Sequence, residues 1–414
     1  MTESGSPGPG LAALALPSRA LHLFLVQRFS SGIASQIQVV AVGWYVYALT
    51  NSALDLGLIG LAQFLPIAGL ALVAGHIVDR YPRRAIMLGA VTLEFFCYAA
   101  LAATALSGAH SVAPIFVVAA GLGTVRVFSS PAQSSLLPAL VSADAFPRAA
   151  AASAVSLQAA VIIGPALGGA LFLLGPPVPF LVSACLSALS FTCIALIPVR
   201  RAARVATPLT WKSLASGIHF IRGHQAVLGA VSLDLFGVLF GGATALLPIF
   251  ARDILMIGPV GLGLLRSGPA LGAIVTGAIL TRWPLRQYIG RRILIAVALF
   301  GAATIVFGLS SSVPLSFAAL IGVGACDMIS VVTRNTLVQT ATPDAIRGRV
   351  SAVNTLFIGT SNQLGEFESG VTAAWLGPVG SVVLGGAATI LIAGLWAWKL
   401  PGLRRINRFA DAKR

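Results

Sequence analysis

Nine charged side chains lie well inside the long apolar runs of this sequence. They are five acids and four arginines: Glu94, Asp234, Asp327, Glu366, Glu368, Arg28, Arg126, Arg266 and Arg334. A charge among apolar side chains is costly unless an opposite charge or water lies beside it, so we expect each residue to pair or to face a wet cavity. The chemistry open to such residues is the gain and loss of a proton, the exchange of ion-pair partners and the binding of a charged ligand.

The residue combinations of catalytic and metal centres do not occur in the sequence. It has no nucleophile–histidine–acid set and no glycine-rich phosphate loop, and the spacing of its four cysteines fits no metal site. These cysteines, which are Cys97, Cys185, Cys193 and Cys326, all lie within apolar runs, as small buried residues do. The sequence therefore predicts no metal, no cofactor and no enzymatic activity.

Long apolar segments must position the charged residues. The 414 residues are 57% hydrophobic and only 9% charged, whereas a soluble domain has about 25% charged residues. Apolar runs of about 20 residues recur along the chain, and each is long enough to cross about 30 Å of hydrocarbon as a helix. We therefore predict an all-α membrane protein. The opening MTESGSPGPG lacks the basic segment of a signal peptide and is interpreted as a short disordered tail.

Breaks at Pro, Gly, Asn and Arg divide the apolar sequence into twelve candidate transmembrane helices. Their predicted limits are 21–48, 54–76, 85–106, 113–136, 149–174, 177–198, 226–249, 259–281, 291–309, 314–337, 351–376 and 379–400. The predicted domains are a cytoplasmic tail (1–20), an N-terminal six-helix bundle (21–198), a linker (199–225), a C-terminal six-helix bundle (226–400) and a basic tail (401–414). In the linker, Trp211, Leu214, Ile218 and Ile221 have the spacing of an amphipathic helix on the membrane surface.

The basic residues predict the orientation of these helices. With a cytoplasmic N-terminus, the cytoplasmic segments hold 22 of the 27 Lys and Arg residues, the external loops hold only Arg252, and the other four lie within spans. This asymmetry follows the positive-inside rule and predicts both termini in the cytoplasm and the chain in the cytoplasmic (inner) membrane. It also accounts for the net charge of +15 without a nucleic-acid partner.

The two sets of six spans are related by an internal repeat. The turn GHIVDRYPRR at residues 75–84 has a weaker copy, GAILTRWPLR, at residues 277–286, and Asp144 corresponds to Asp344 near the same offset of about 200 residues. Parallel repeats of this kind rock about a central site in many secondary transporters. The copy has Thr281 in place of an aspartate, so the two turns are not chemically equivalent.

Three motifs resemble those of the major facilitator superfamily. The turn GHIVDRYPRR is similar to the superfamily's loop signature, which Gly75, Asp79, Arg80, Arg83 and Arg84 match. In the fifth span GPALGG resembles an antiporter motif, which Gly164, Pro165, Gly168 and Gly169 match, and Arg126 resembles the membrane-embedded arginine of drug:proton antiporters. Segments such as SQIQVVAVGWYVYALT and LGEFESGVTAAWLG resemble the branch that includes enterobactin and drug exporters.

The resemblance implies two pseudosymmetric six-helix bundles and a cavity lined by the first and fourth spans of each bundle. The turn of residues 75–84 then lies at a cytoplasmic gate, where Asp79 is interpreted as an ionic latch. Arg83 and Arg84 are interpreted as positive-inside anchors, with anionic lipid headgroups as alternative partners. For the glycines of GPALGG, a role against leakage is implied by the resemblance, and ordinary small-residue packing is the alternative.

The intramembrane acids are the candidates for proton coupling. Asp234, about two turns into the seventh span, is the first choice, and a structural hydrogen-bonding role is the alternative for it. The other candidates are Glu366, Glu368, Asp327 and Glu94. Glu366 and Glu368 point about 200° apart on a helix, so we expect one to pack against another span and the other to face water. The repeat makes Arg126 and Asp327 equivalent, and we predict a charge pair between them across the cavity. Further candidates to line the cavity are Arg28, Arg266 and Arg334.

The spans expected to line the cavity also carry candidates for substrate contact, for each of which core packing is the alternative: Gln36, Gln38, Trp44, Tyr45 and Phe236. A mostly apolar pocket with few polar groups suits an amphiphilic or aromatic substrate. We therefore predict a monomeric exporter of a small molecule, driven by protons and surrounded by lipid. A facilitative or proton-coupled importer and a transport-inactive receptor or scaffold are the alternatives.

Overall fold

The computed structural model of the protein describes residues 19–108, 111–198 and 211–413, and all regular structure in these ranges is helical. The first half contains α1 (Arg19–Thr50), α2 (Ala53–Arg80), α3 (Arg83–Leu106), α4 (Ala113–Leu140), α5 (Phe146–Phe172) and α6 (Val178–Leu196). The second half contains α7 (Trp211–Gly223), α8 (Gln225–Phe240), α9 (Leu247–Ile249), α10 (Gly258–Arg282), α11 (Ile289–Leu309), α12 (Val313–Ala341), α13 (Asp344–Lys399) and α14 (Pro401–Arg404). Eleven helical segments in these ranges are long and apolar enough to cross a membrane, which confirms the predicted fold class.

The helix α13 contains the last two predicted spans. Gly377 interrupts it with φ 74° and ψ 164°, a conformation that a residue without a Cβ adopts readily. Beyond this break the hydroxyl of Ser381 donates a hydrogen bond of 3.1 Å to the carbonyl of Ser369, twelve residues earlier. A straight helix would separate these two residues by about 18 Å, so the chain turns back at Gly377. The eleven segments therefore provide the twelve predicted crossings.

The seventh span is a broken helix. Its regular part, α8, ends at Phe240, and the chain continues through a 3₁₀ turn (Ala243–Leu246), the short α9 and a π-helical turn (Phe250–Ile254). The span thus extends to Ile254, beyond the predicted limit at residue 249. At the break, a Cβ on Gly242 would lie 3.1 Å from the carbonyl of Gly365, so the missing side chain lets α13 approach closely.

Among the described residues, the two bundles share a hydrophobic core at one end only. At the end that carries the turns at residues 51–52 and 255–257, named the closed end here, one apolar cluster joins Leu56 and Phe180 of the first bundle to Phe250 and Leu262 of the second. At the opposite end, named the basic end, each bundle has a core of its own. The first is built on Phe24, Met87 and Leu136, and the second on Val227, Ile293 and Leu337. The bundles are therefore packed together at the closed end and have separate cores at the basic end.

Glycines allow the close contact at the closed end. Between α5 and α10, a Cβ on Gly169 would lie 2.2 Å from the carbonyl oxygen of Pro259, and one on Gly263 would lie 2.3 Å from that of Pro165. Between α2 and α13, a Cβ on Gly370 would lie 2.5 Å from the Cα of Gly57. Because no real side chain tolerates such distances, these helix pairs are in backbone-to-backbone contact.

Residues beyond the last span pack onto the basic end of the second bundle. Leu403 is fully buried, and the backbone N–H of Gly290 donates to the carbonyl of Ile406 at 3.0 Å. The side-chain oxygen of Asn407 accepts from the N–H of Tyr288 at 2.9 Å, at the start of α11. The first residues of the predicted basic tail thus cap α11.

The helix α7 lies where the sequence predicts an amphipathic helix. It packs against the start of α13, because a Cβ on Gly217 would lie 3.0 Å from the carbonyl of Arg349, and its Ile221 is 2% exposed. The side chains of Trp211 and Leu214 lie outside the part of the chain that the structure describes. Contact of this helix with a membrane surface stays a prediction.

Candidate functional site

A cavity of about 230 Å³ opens within the first bundle, between α1, α3, α4 and α5. Its apolar wall includes Met87, Val91, Val125 and Leu157. Its polar lining consists of Arg28, Ser31, Ser35, Gln36, Glu94, Arg126, Ser129 and Gln133. Eight of the thirteen lining residues are polar or charged, so the cavity suits a ligand with charged or hydrogen-bonding groups.

Hydroxyl groups hold the carboxylate of Glu94 at the wall of this cavity. Glu94 is 5% exposed, and one of its oxygens accepts a hydrogen bond of 2.9 Å from Tyr98. The other oxygen accepts from Ser31 and Ser187, each at 3.4 Å. The hydrogen bonds from α1, α3 and α6 fix the position of this acid, and no described Lys, Arg or His lies within 4 Å of it.

The two arginines of the cavity differ in their partners. The Nη1 atom of Arg28 donates a hydrogen bond of 2.5 Å to the side-chain oxygen of Gln133, whereas its buried Nε has no partner among the described residues. Arg126 is exposed to the cavity and, among the described residues, has no hydrogen bond and no carboxylate within ion-pair distance. Arg126 interacts electrostatically with Glu94 of its own bundle and with Glu366 of the other.

Glu366 lies where the two bundles meet. A Cβ on Gly60 of α2 would lie 3.2 Å from a carboxylate oxygen of Glu366, so this side chain packs directly on the first bundle. It interacts electrostatically with Arg126 in α4 and with Arg266 in α10. Two arginines and a carboxylate from both bundles thus form a charge cluster at the interface. Of the two neighbouring acids, Glu366 thus packs against another span, and Glu368 is half-buried beside Ser369.

The second bundle contains a buried ion pair between Asp234 of α8 and Arg334 of α12. Their side chains are 6% and 2% exposed. Asp234 also lines a small pocket of about 10 Å³, together with Asp327 and Ser330 of α12. The structure therefore brings together three of the predicted charged residues, two carboxylates and one guanidinium, within one bundle.

The charge pair predicted between Arg126 and Asp327 is not formed in this structure. Arg126 lines the cavity of the first bundle, Asp327 lines the pocket of the second, and no ion pair joins them among the described residues. The repeat places them in equivalent helices, and each helix turns its charged residue toward its own bundle. The equivalent polar links are Arg28–Gln133 between the first and fourth spans and Asp234–Arg334 between the seventh and tenth.

Of the candidates for substrate contact, Gln36 lines the cavity. The other four belong to packed regions of the described structure. Gln38 is 5% exposed, the ring of Tyr45 packs edge-on against Phe180, and Trp44 packs against Phe172. The ring of Phe236 packs against that of Trp396. Core packing, the alternative considered for each, describes these four in the present conformation.

The loop and antiporter motifs have structural contacts that their sequences do not specify. Arg83 donates to the carbonyl of Ser135 at 2.8 Å, and Arg84 donates to that of Ile194 at 3.1 Å, so both tie α3 to neighbouring helices. The side chain of Asp79 lies outside the part that the structure describes, and its role as a latch stays a prediction. Gly75 and Arg80 lie in the last two turns of α2.

The four residues of the antiporter motif pack on two different helices. A Cβ on Gly164 would meet the side chain of Gln36 at 2.5 Å, and one on Gly168 would lie 3.0 Å from the Cα of Ile37, both in α1. Pro165 and Gly169 instead face α10, in the other bundle. The motif therefore joins a helix of the first bundle to the interface with the second.

One polar cluster at the closed end has no counterpart in the sequence predictions. The hydroxyl of Tyr47 in α1 donates a hydrogen bond to the carboxylate of Asp253 in the broken seventh span. Arg252 donates to the carbonyl of Tyr47 at 3.0 Å, and its guanidinium lies 5.4 Å from the centre of the tyrosine ring. The signal in the sequence was Arg252, the only basic residue of the external loops, directly followed by an acid.

Comparison with known proteins agrees with this architecture. The chain is 26% identical over 397 residues to the enterobactin exporter EntS of Escherichia coli O1:K1 and 27% identical to that of Citrobacter koseri, and each alignment covers 94% of both chains. A POT family transporter in complex with 5-aminolevulinic acid superposes with a TM-score of 0.72 at 14% identity, covering 93% of this chain and 96% of the other. The nucleoside transporter NupG superposes with a TM-score of 0.70 at 13% identity, covering 91% and 99%.

The structural likenesses show the shared fold, and the family match shows membership. Residues 16–411 match the family described as transmembrane secretion effector, which lies within the major facilitator superfamily. This match confirms the predictions of a transporter of that superfamily and of a chain that is not an enzyme. Because it spans nearly the whole sequence, the protein belongs to the transmembrane secretion effector family.

Proposed function

We propose that the protein is a secondary active exporter of a small amphiphilic molecule, a drug or a siderophore-like metabolite, by proton antiport and alternating access. The observation that carries the proposal is one shared core at the closed end beside two separate cores at the basic end. Bundles joined at one end leave the space between them accessible from the other. Rocking of residues 21–198 against residues 226–400 exchanges the two ends, while the linker of residues 199–225 keeps the bundles connected.

The charge distribution supports an orientation with the basic end in the cytoplasm. The segments that the sequence predicts to be cytoplasmic hold 22 of the 27 Lys and Arg residues and include both termini, and the described parts of these segments lie at the basic end. In this orientation the protein lies in the cytoplasmic (inner) membrane, and its cavity takes substrate from the cytoplasm. Exposed apolar side chains such as Leu65 and Val117, 62% and 73% exposed, then face lipid around a monomer. The export direction is also that named for the enterobactin exporters at 26–27% identity.

Proton coupling is assigned to the acids of the second bundle. A proton on Asp234 removes the charge that neutralises Arg334, so protonation changes the interaction between α8 and α12. Asp327 lines the same pocket and offers Arg334 a second carboxylate in an altered conformation. Antiport requires that these acids hold a proton more tightly in one conformation than in the other, because only a difference in affinity shifts the equilibrium.

Transport by purified protein in liposomes under an imposed pH gradient tests this proposal. The panel contains a lipophilic cationic drug and a catecholate siderophore. The variant that combines Asp234→Asn with Arg334→Gln removes both charges of the pair. We expect it to retain substrate exchange between the two sides and to lose the acceleration by the gradient. Asp344→Asn, at a carboxylate that is 86% exposed, is the control and keeps both activities.

Each other outcome points to a different function. Transport by the unmodified protein that ignores the pH gradient contradicts antiport. Movement only toward the basic end indicates an importer. Failure to move any substrate, in protein that is folded, indicates a receptor or scaffold.

A further inference from the structure

The cavity of the first bundle has more positive charge than its carboxylates neutralise. Around it and the adjoining interface lie three arginines, Arg28, Arg126 and Arg266, and two acids, Glu94 and Glu366. With both acids ionised, one positive charge is left over. No anion from the described chain supplies the balance within ion-pair distance of Arg126.

The unbalanced charge is located on Arg126 in particular. Glu94 directs its oxygens to three hydroxyl groups, and Glu366 is shared between Arg126 and Arg266. The guanidinium of Arg126 is exposed to the cavity and makes no hydrogen bond among the described residues. A guanidinium carries five N–H donors, and its planar fork matches the two oxygens of a carboxylate.

We propose that this cavity binds its substrate as an organic anion, with a carboxylate-type group held by Arg126 and Arg28. The inference deepens the proposed export function and rests on it. The partnerless Nε of Arg28 and the amide of Gln36 add donors to the anion. Met87, Val91, Val125 and Leu157 provide an apolar wall for the rest of an amphiphilic molecule.

Anion binding has a direct consequence for the contact between the bundles. Arg126 interacts with Glu366 across the interface, so an anion bound at Arg126 competes with that interaction. Binding thus weakens an electrostatic link that spans the bundles. It also sets a direction for transport, because an inside-negative membrane potential favours the exit of an anion from the cytoplasm. An anion competes with the acids for Arg126, which is why proton coupling is assigned to the separate pocket around Asp234.

Binding of a matched pair of probes to the full-length protein tests the inference. The probes are 2-naphthoate and the neutral 2-naphthamide, which have nearly the same shape. The binding is measured by calorimetric titration at neutral pH, with the protein in phosphatidylcholine nanodiscs. The headgroup of this lipid has no net charge, so it does not compete with the probes as an anion. We expect naphthoate to bind about tenfold or more tightly than naphthamide, as a charge-assisted hydrogen bond requires.

The variants locate the preference at named residues. Arg126→Gln is expected to reduce the preference for naphthoate about tenfold while naphthamide binding changes by less than about twofold. Arg28→Gln reduces the preference less, because Gln133 already occupies one of its donors. Glu94→Gln increases it, since the variant removes a competing negative charge. Arg286→Gln, with the same loss of charge at an exposed position of the basic end, is the control and leaves the preference unchanged.

Lack of a carboxylate preference in the unmodified protein, whether both probes bind alike or neither binds, overturns the inference. So does an unchanged preference in Arg126→Gln. Retained naphthamide binding by that variant shows that its cavity is still folded. The assay needs no gradient and no translocation, so a negative result counts against anion binding and not against the export proposal. Protein that prefers naphthoate and moves nothing contradicts export alone, and protein that exports drugs without this preference contradicts anion binding alone.

Discussion

At the scale of single residues, the Asp234–Arg334 pair is the most costly feature of the second bundle. Both side chains are almost completely buried, and the ion pair links α8 to α12. Buried charges lose their hydration, and the attraction between them compensates only while both are present. Removal of either one leaves the other buried without its counterion. The pair therefore stabilises the bundle only while both residues are charged, and a protonation switch needs this dependence on charge.

A double-mutant cycle on this pair has a defined expectation. Asp234→Asn and Arg334→Gln are each expected to lower the free energy of unfolding by about 3–5 kcal/mol, because each strands one buried charge. The double variant should lose clearly less than the sum of the two single variants. Thermal unfolding in detergent measures all three against the unmodified protein. The exposed pair Asp344–Arg347, treated in the same way with Asn and Gln, is the control, and we expect changes within about 1 kcal/mol there. Additive losses at Asp234 and Arg334 would contradict the coupling.

The sequence predicts which residues carry charge within the spans but not their pairing, and helix geometry explains why. Asp234 lies nine residues after the start of α8, and Arg334 lies seven residues before the end of α12. Both are therefore about 10–14 Å from the basic end. Arg126 and Asp327 each lie 14 residues before the end of their helix, so they also share a depth. The depth in the membrane therefore permits both the Asp234–Arg334 pair and the Arg126–Asp327 pair. Which pair forms depends on the rotation of each helix about its axis, and packing sets that rotation.

At the scale of secondary-structure elements, the contact between α5 and α10 explains the antiporter motif physically. Gly169 and Gly263 bring the two helices into backbone contact, and Ser267 of α10 donates to the carbonyl of Ile162 in α5 at 2.9 Å. Small-residue packing, considered as an alternative to a role against leakage, is compatible with such a role. Backbone contact along this seam excludes solvent between the bundles while the closed end stays shut.

A bulky residue at this seam is expected to open the closed end. In Gly263→Leu the new side chain meets the carbonyl of Pro165, and overpacking of this kind costs about 1–3 kcal/mol. The equilibrium between the conformations then shifts by about 5–150-fold. The measurement is the labelling rate of Ala373→Cys, in the shared core, with a membrane-impermeant maleimide after the native cysteines are replaced. We expect faster labelling in Gly263→Leu.

Gly89→Leu provides the matched control for that experiment. Gly89 lies in α3, and a Cβ at this position would meet nothing within 4 Å. The same change of residue type therefore adds volume without a clash, and labelling of Ala373→Cys should stay at its original rate. Equal labelling rates in Gly263→Leu and Gly89→Leu would show that the α5–α10 seam does not control access to the closed end.

The elements that the sequence predicts least well are those that bend. The sequence predicts the end of the seventh span at residue 249, before the hydrophobicity falls at Arg252 and Asp253. The structure keeps the chain helical to Ile254, because Arg252 and Asp253 find partners at Tyr47. Gly241 and Gly242 were a visible signal for the break in α8, but their role depends on the approach of α13, which is a tertiary contact. The turn at Gly377, between two long apolar runs, was predictable from local sequence alone.

At the scale of the whole molecule, the contact between the two bundles is extensive at the closed end and different in kind at the basic end. The shared core at the closed end is reinforced by the polar cluster of Tyr47, Arg252 and Asp253, which joins the first span to the seventh. The basic end has no common core among the described residues. A rigid-body exchange must therefore break the apolar core, the glycine seams and this polar cluster together. Interfaces of this kind switch between discrete states, because packed surfaces do not deform continuously.

Distances between spin labels at both ends test this exchange directly. The repeat supplies equivalent exposed positions: Asp144 and Asp344 at the basic end, and Ser111 and Ser311 at the closed end. After replacement of the native cysteines, each pair is changed to cysteine and labelled, and double electron–electron resonance gives the two distance distributions. We expect a long distance at the basic end and a short one at the closed end in the unliganded protein. Gly263→Leu should shorten the first and lengthen the second, because it weakens only the closed end. If the two distances change in the same sense, or only one of them changes, the bundles do not rock as rigid units about a central site.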